Sequence, residues 1–359
     1  MKKNICTMVM SLIMVLCLFI MSGCSSTGQE IDSESGTKTT ENSQQASDNL
    51  DSKMPEYRLI AAHVSTEKHS FHIGMMEFKK QVEEKSNGRI EIEVHPNGEL
   101  GGNEDELVQK MATGTVDVII SAPSFMAQSV SEVDLLSVPY LFQDVDHWEK
   151  VMDGDVGKEM SKIVEEKSGM FHVLGYFKDG VRSMYTIKPV HSMDDMKDLK
   201  FRIQNSPTQV AFWTELGVQP TFVAFNEIYQ ALQNGVIDGA ENSYSQIYQQ
   251  KHYEVCKNVT ETEHDVATRF FLISKSKYDS MPSDLQAIID ESAEIAVKKQ
   301  REEDAEMSNE CKQMMIDAGV NFIQLDKQPL IEKTEHIRED AAHNLGLDAM
   351  LNTINSLKK

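Results

Sequence analysis

Cysteines and catalytic motifs are both scarce in this sequence of 359 residues. It has five cysteines and no Cys-x-x-Cys pair, so nothing indicates a disulfide framework or a zinc ribbon. The Gly-x-Ser-x-Gly elbow, the Gly-x-x-x-x-Gly-Lys phosphate loop and the His-Glu-x-x-His zinc motif are all missing. The glycines at 98–102 have the wrong spacing for a dinucleotide fingerprint. We therefore predict no catalytic residues, no cofactor and no enzymatic activity.

The sequence also has few positively charged residues relative to negatively charged ones. Lysine and arginine number 35 against 57 aspartates and glutamates, which gives a net charge of −22. Residues 1–23 carry two lysines and no acidic residue, so their removal would leave −24. A chain this acidic repels nucleic acid and anionic membrane surfaces, and we predict no nucleic-acid partner. If the ligand is an anion, its positive partner must be placed locally.

Three histidines close in sequence, His63, His69 and His72, raise the question of a metal site. Only His69 and His72 would share a helix face, and no nearby cysteine or carboxylate completes a set of four ligands. We predict no metal site and interpret the three as solvated residues at the start of a helix.

The N-terminus has the features of an export signal. Two lysines precede an apolar run that is shorter than the roughly 20 residues of a membrane span. The run ends in Met21-Ser22-Gly23-Cys24, which resembles a bacterial lipobox. That resemblance implies cleavage before Cys24 and a diacylglycerol on its sulfur. The alternative is an ordinary N-terminal anchor helix, which the small residues directly before a cysteine do not favour.

Residues 24–55 lack apolar periodicity, and we predict a polar tether that cannot bury enough surface to fold. The folded part then covers roughly 300 residues, which is enough for two domains. Two cysteines remain in it, Cys256 and Cys311. Spacing alone cannot establish whether they pair, and we interpret them as buried free thiols.

Strand and helix patterns alternate along the folded part. Residues 89–95 alternate apolar and acidic side chains, the period of a strand. Ser206-Pro207-Thr208-Gln209 has the serine, proline and glutamine expected at a helix start. In all, the sequence predicts strands at 59–62, 89–95, 116–120, 171–174 and 199–203, and helices at 69–85, 103–113, from 206, 227–234 and 284–318. This alternation is typical of an α/β protein with a mostly parallel sheet.

Several segments together resemble the solute-binding proteins of tripartite ATP-independent periplasmic (TRAP) transporters. Their order and spacing carry the resemblance from about residue 57 to residue 300. The segments are EEKSNGRI (83–90), PNGELG (96–101), GTVD (114–117), VPYLF (138–142), LKFRI (199–203) and, most specifically, EIYQALQNGVIDGAEN (227–242).

The resemblance implies a two-lobed, periplasmic-binding-protein-like α/β fold with a long connecting helix. It implies that a small organic carboxylate, a sugar acid or a C4-dicarboxylate, is held between the lobes and delivered to a membrane permease pair. The expected division is a signal peptide at 1–23, a lipidated cysteine and tether at 24–55, one lobe at 56–179 and about 268–307, and the other at 180–267 and about 308–359. We expect an extracytoplasmic monomer anchored through Cys24.

The family motifs also give candidate ligand-binding residues. Arg202 matches the family's principal arginine, and Arg182, in Gly180-Val181-Arg182, matches a second one that we expect in a turn. The remaining candidates are Asn242, Phe225, Asn205 and His63. The sialic-acid branch has a glutamate where this chain has Ser121-Ala122-Pro123, so sialic acid is not favoured.

The residues themselves support Arg202. A guanidinium binds a carboxylate through paired donors, and Phe201 and Ile203 would face the core and leave Arg202 on the opposite side. Arg202 lies where a strand ends, and open α/β sheets bind ligands at the carboxyl ends of their strands. The helix that begins at Ser206 would add free backbone N–H donors at its N-terminus.

Two other functions remain open at the sequence level. A subunit that presents bound solute to a membrane sensor kinase or chemoreceptor would have the same fold and cleft. An extracellular enzyme would need the nucleophile or metal motifs that this sequence lacks. The sequence does not distinguish dicarboxylates, uronates and keto acids as ligands.

Overall fold

One mixed sheet organises the computed structural model, which describes residues 54–359. Its nine strands within that range are β1 (Tyr57–Ala62), β2 (Ile90–His95), β3 (Val118–Ser121), β4 (Phe171–Thr186), β5 (Lys200–Arg202), β6 (Gln219–Thr221), β7 (Gly239–Asn242), β8 (Asn258–Ser274) and β9 (Asn321–Gln324).

Helices pack against this sheet. The α-helices are α1 (Ser70–Lys85), α2 (Glu104–Ala112), α3 (Pro123–Met126), α4 (Val145–Met152), α5 (Asp155–Ser168), α6 (Pro207–Glu215), α7 (Ile228–Gln233), α8 (Tyr244–Gln249), α9 (His252–Val255), α10 (Lys275–Asp279), α11 (Ser283–Asp317), α12 (Gln328–Lys333), α13 (Glu335–Leu345) and α14 (Asp348–Ser356). Short 3-10 helices lie at Ser131–Ser137, Met193–Met196 and Phe225–Glu227.

Two long antiparallel strands, β4 and β8, join the two parts of the sheet. Near one end of this pair, β3 joins β8 and leads to β1 and β2; we call β1, β2 and β3 the first strand set. Near the other end, β7 joins β4 and leads to β5 and β6; these three form the second strand set. Neighbouring strands are parallel within each set. The predicted α/β class with two lobes is confirmed.

The structure confirms two local sequence predictions, the alternating burial of β2 and the serine cap of α6. In β2, Ile90 and Ile92 are buried while Glu91 and Glu93 are exposed, which is the predicted alternation. Ser206 caps α6, since its hydroxyl accepts a hydrogen bond from the Gln209 backbone N–H at 3.1 Å.

The long helix α11 packs across the joining strands. The Gln300 side chain bonds both backbone groups of Lys178 in β4, at 3.0 and 2.6 Å. One turn later, the Asp304 carboxylate accepts a hydrogen bond from the Gly180 N–H at 3.1 Å. Gly180 has a φ of 61°, and the pairing of β4 with β8 shifts register between Lys178 and Val181. The helix therefore holds the irregular middle of β4 in place.

The last two helices, α13 and α14, differ in part from the predicted division. Residues 308–359 were assigned to the second lobe. The buried Ala342, Met350 and Ile354 instead pack in one apolar cluster with Trp148 and Phe171, on the side of the first strand set. The other lobe boundaries stay a prediction.

Cys256 and Cys311 are free and buried, as expected. They belong to one apolar cluster beside the second strand set, and burial raises the pKa of both thiols. None of the helices between residues 54 and 359 has the length and apolar character needed to span a membrane.

Candidate ligand-binding site

The predicted Arg202 and Asn242 end two neighbouring parallel strands, β5 and β7. Phe201 and Ile203 are buried in another apolar cluster beside the second strand set, separate from the one that contains the two cysteines. This leaves the Arg202 side chain on the opposite side, as predicted. The carboxyl ends of parallel strands are where α/β sheets collect binding groups. The backbone therefore brings the two side chains to one place.

A small cavity lies at these strand ends. It is lined by Val64, Asn103, Glu104, Phe125, Arg202, Gln204, Phe225, Asn242, Gln246 and Arg269. Both strand sets contribute, because the segments that follow β1 and β2 meet those that follow β5 and β7. In this form the cavity has a volume of about 10 Å³, which is room for roughly one water molecule.

Arg202 keeps most of its hydrogen-bonding capacity. Its Nε donates to the Val223 carbonyl at 3.1 Å, and neither terminal nitrogen has a hydrogen-bond or ion-pair partner among residues 54–359. The residue is 2% exposed, and this burial lowers the pKa of its guanidinium. Arginine stays charged even so. A buried charge of this kind is costly unless something pairs with it, so Arg202 is suited to hold an anion.

Arg182 has a different environment from the predicted one. It was expected in a turn, but it lies inside β4, between two register shifts, and is 1% exposed. Its Nε and Nη2 bond the Glu241 carboxylate at 2.5 and 2.7 Å, and its Nη1 bonds the Asn242 Oδ1 at 2.8 Å. The guanidinium is therefore occupied by the protein itself.

Electrostatics around Arg182 match this geometry. Burial opposes ionisation of Glu241, but the charge of Arg182 outweighs it and lowers the pKa of that carboxyl to about 2. For Arg182 too, burial favours the neutral form, while Glu241 raises the pKa above its ordinary value. His264 adds a contact from Nε2 to the Glu241 Oε2 at 3.3 Å. Arg182 and Glu241 therefore form a buried ion pair, and the neighbouring side chains of Asn242 and His264 also contact it.

Asn242 bonds Arg182 and also lines the cavity that Arg202 lines. Its Oδ1 accepts hydrogen bonds from Arg182 and from the Ser243 backbone N–H at 2.9 Å. The amide nitrogen has no hydrogen-bond partner among residues 54–359, and the side chain lines the cavity. Arg182 thus orients Asn242, and Asn242 offers its N–H groups to the cavity.

Sequence reasoning missed several residues that line the cavity. Asn103 Oδ1 and Gln246 Oε1 are buried without a hydrogen-bond partner among the described residues. Arg269 lies beside them, but its charge is shared with Asp179 at 2.7 Å and Glu104 at 3.8 Å. A signal for Arg269 existed, because a charged residue in the apolar run of β8 is rarely buried without a role.

Asn205 and His63 do not line this cavity. Asn205 is exposed and lines a larger cavity of about 860 Å³ beside α6 and α13. That cavity has no lysine or arginine in its wall, and its charged groups are Asp134, Glu215 and Asp340. It is therefore less suited to an anion than the small cavity.

The interpretation of the histidines as solvated is wrong for two of the three. His63 and His69 are 1% and 0% exposed, and burial lowers the pKa of each, to about 3 and about 4. His69 caps α1 by accepting from the Phe71 N–H, and the His63 Nε2 lies 3.1 Å from the Nδ1 of His72. Among residues 54–359, no group of three or more histidines, cysteines or carboxylates is arranged to hold a metal ion.

The N-terminus of α6 also differs from expectation. Its free donors were expected to serve the ligand. In the structure the Thr208 N–H bonds the buried carboxylate of Asp134 at 3.2 Å, and the Gln209 N–H bonds Ser206. The protein's own side chains satisfy these donors.

Comparison with known proteins decides the family. Residues 61–344 match the model of the bacterial extracellular solute-binding proteins, family 7. The chain belongs to this family. A solute-binding protein of Sulfitobacter sp. strain NAS-14.1 is 32% identical over 300 residues, which are 82% of this chain and 90% of that protein.

Solved structures of TRAP periplasmic solute-binding proteins share the fold. One from Sulfitobacter sp. NAS-14.1, with bound α-D-taluronate, has a TM-score of 0.79 and 32% identity over 83% of this chain and 97% of that one. One from Pseudomonas putida F1, with bound D-glucuronate, has a TM-score of 0.81 and 27% identity over 84% of this chain and 98% of that one. The protein is a TRAP-type solute-binding receptor for small organic carboxylates, a class that works outside the cytoplasm with membrane permeases.

Proposed function

We propose that this receptor captures a uronate, a six-carbon sugar acid, with the carboxylate bound to Arg202. The observation that carries the proposal is the guanidinium of Arg202, the one arginine of the cavity wall without an ion-pair partner among residues 54–359. Bidentate pairing with a carboxylate would satisfy both terminal nitrogens of Arg202. The relatives with bound taluronate and glucuronate support the same ligand class.

The neutral groups of the cavity favour a polyhydroxylated acid over a dicarboxylate. A second carboxylate would need a second free cation, but Arg182 is paired with Glu241, and Arg269 with Asp179. Sugar hydroxyls can donate to the buried oxygens of Asn103 and Gln246 and accept from Asn242. Buried polar groups without partners are costly, so a ligand that satisfies them gains affinity.

Binding requires movement of the two strand sets. A cavity of about 10 Å³ holds roughly one water molecule and no sugar. The sets are joined through the long strands β4 and β8 and through α11, which permits them to separate and close again around the ligand.

A calorimetric titration tests the ligand class. D-Glucuronate should bind, D-galactose should not because it lacks the carboxylate, and succinate should bind much more weakly because it cannot satisfy the amide groups. Tighter binding of succinate than of D-glucuronate and D-galacturonate would overturn the proposal. The companion titration with a chelator should give the same affinity, since we propose no metal and no catalytic role.

We also propose a lipid-anchored monomer at the outer face of the cell membrane. Cys24 lies outside the described residues, and the proposal is supported by the Met21-Ser22-Gly23-Cys24 sequence after an apolar run. Cys24→Ala should release the protein from the membrane fraction. Continued membrane attachment of the variant would show that another segment anchors it.

A further inference from the structure

Gly102 and Asn226 meet across the rim of the cavity. Gly102 lies between β2 and α2, beside the first strand set, and Asn226 lies between β6 and α7, beside the second. Each is the sequence neighbour of a cavity residue, Asn103 and Phe225 respectively. The Asn226 N–H donates to the Gly102 carbonyl at 3.3 Å. The two backbones are thus directly joined although 124 positions separate them in the sequence.

The absence of a side chain at Gly102 makes this approach possible. A Cβ atom there would lie 2.4 Å from the Nδ2, 2.8 Å from the Cγ and 3.0 Å from the Oδ1 of Asn226. The side-chain amide of Asn226 therefore occupies the space that a Cβ atom of residue 102 would need. The backbone of Gly102 is not in the left-handed region, so its conformation does not itself require glycine. The close contact with Asn226 is what a larger residue would prevent.

We propose that Gly102 is a closure residue: because it has no side chain, the amide of Asn226 can pack against it when the two strand sets are closed, with or without a ligand. The inference rests on the proposed function, because closure matters only if a ligand is held between the sets. It adds a positioning role that is separate from ligand contact, since neither residue lines the cavity. A larger side chain at position 102 would destabilise the closed form relative to the open one and leave the cavity residues unchanged.

The adjacent glycine provides a matched control. A Cβ at Gly101 would lie 3.0 Å from Leu107 and 3.2 Å from Glu106, both within α2 on the same side of the cleft. Gly101→Ala therefore crowds the loop locally without touching the second strand set. Its backbone is also outside the left-handed region, so the two substitutions differ mainly in which side of the cleft they crowd.

The experiment measures the affinity for D-glucuronate of the full chain by calorimetry. Gly102→Ala should weaken binding roughly 5- to 150-fold, the range expected when a methyl group is forced into a packed contact. Gly101→Ala should stay within about twofold of wild type, since it acts on one side only. Asn226→Gly combined with Gly102→Ala should restore most of the affinity, because it removes the clashing amide.

Small-angle X-ray scattering of the ligand-free variants gives a second readout that does not depend on the ligand. Gly102→Ala should have a larger radius of gyration than wild type, and the double variant should return toward it. Affinity and scattering both unchanged in Gly102→Ala, or affinity lost without rescue by Asn226→Gly, would overturn the inference. If wild type binds no uronate, the proposed function is wrong, and the scattering comparison alone then decides the closure role.

Discussion

Arg182 and Arg202 are two buried arginines a short distance apart, with opposite surroundings. Arg182 lies in the middle of β4, and its guanidinium bonds Glu241 and Asn242. Arg202 lies at the end of β5, and within residues 54–359 only its Nε has a partner. Burial shifts both pKa values downward, but at Arg182 the Glu241 carboxylate reverses the effect. The difference indicates that one arginine holds the site together while the other is left for the ligand.

Glu241→Gln, next to Arg182, should have the largest effect, and this effect should be on the free energy of unfolding. The substitution removes the carboxylate that Arg182 bonds directly and leaves this buried charge only the more distant Asp179, at 3.8 Å. Breaking a buried pair in this way costs about 3–5 kcal/mol of folding free energy. Urea unfolding measures this loss. The paired variant with Arg182→Met should recover part of it, because both charges are then gone. Wild-type stability in Glu241→Gln would mean that the ion pair has no structural role.

Arg202→Ala should act on binding instead. Truncating one partner of a desolvated charge pair costs about 2–5 kcal/mol, which is roughly 30- to several-thousand-fold in affinity. Arg202→Lys should recover little, since an ammonium cannot reproduce the bidentate geometry. The unfolding midpoint of the ligand-free variants should not fall, because no ion pair is broken. A drop in that midpoint as large as that of Glu241→Gln would remove the distinction between the two arginines.

Acid should affect the Arg182 region in a defined window. The pKa of Glu241 is lowered from 4.5 to about 2, so its ionised form stabilises the fold fully above pH 4.5. This contribution, on the order of 3 kcal/mol, should be lost as the pH falls from about 4.5 to about 2. Unfolding curves across that range should fall less steeply for Glu241→Gln than for wild type. Equal slopes would show that Glu241 is not ionised in the folded protein.

Asn242→Ala should have the smallest effect. It removes one N–H donor from the cavity and one acceptor from Arg182. The loss of a neutral hydrogen bond weakens affinity by about 1 kcal/mol, or roughly fivefold. Asn242→Asp should weaken binding more, because it places a negative charge beside the ligand carboxylate. An Asn242→Asp variant that binds as well as wild type would exclude Asn242 from the site.

Local patterns in the sequence predicted much of this site. Alternation predicted the strand at 199–203 and so placed Arg202 near a strand end. Asn242 was proposed only from the family motif at 227–242, and the strand that ends at it, β7, was not predicted. The same alternation puts Gln204, and not Asn205, on the side of Arg202, so the cavity residue Gln204 was predictable. Asn205 was chosen from the family motif, although the alternation of the strand favours Gln204.

The partner of Arg182 could not be predicted in the same way. Glu241 is 59 positions away, and its contact depends on the register in which β4 pairs with β7. The burial of His63 and His69 likewise results from packing between distant segments, such as the contact of His69 with Ser245. Pairing between elements far apart in sequence is tertiary information, which periodicity does not contain.

The most direct test of the account is a crystal structure of the complex with D-glucuronate. The account predicts that the ligand carboxylate lies within hydrogen-bonding distance of both terminal nitrogens of Arg202, while Arg182 keeps its bonds to Glu241. A carboxylate bound to Arg182, with Glu241 displaced and Arg202 still unpaired, would contradict it.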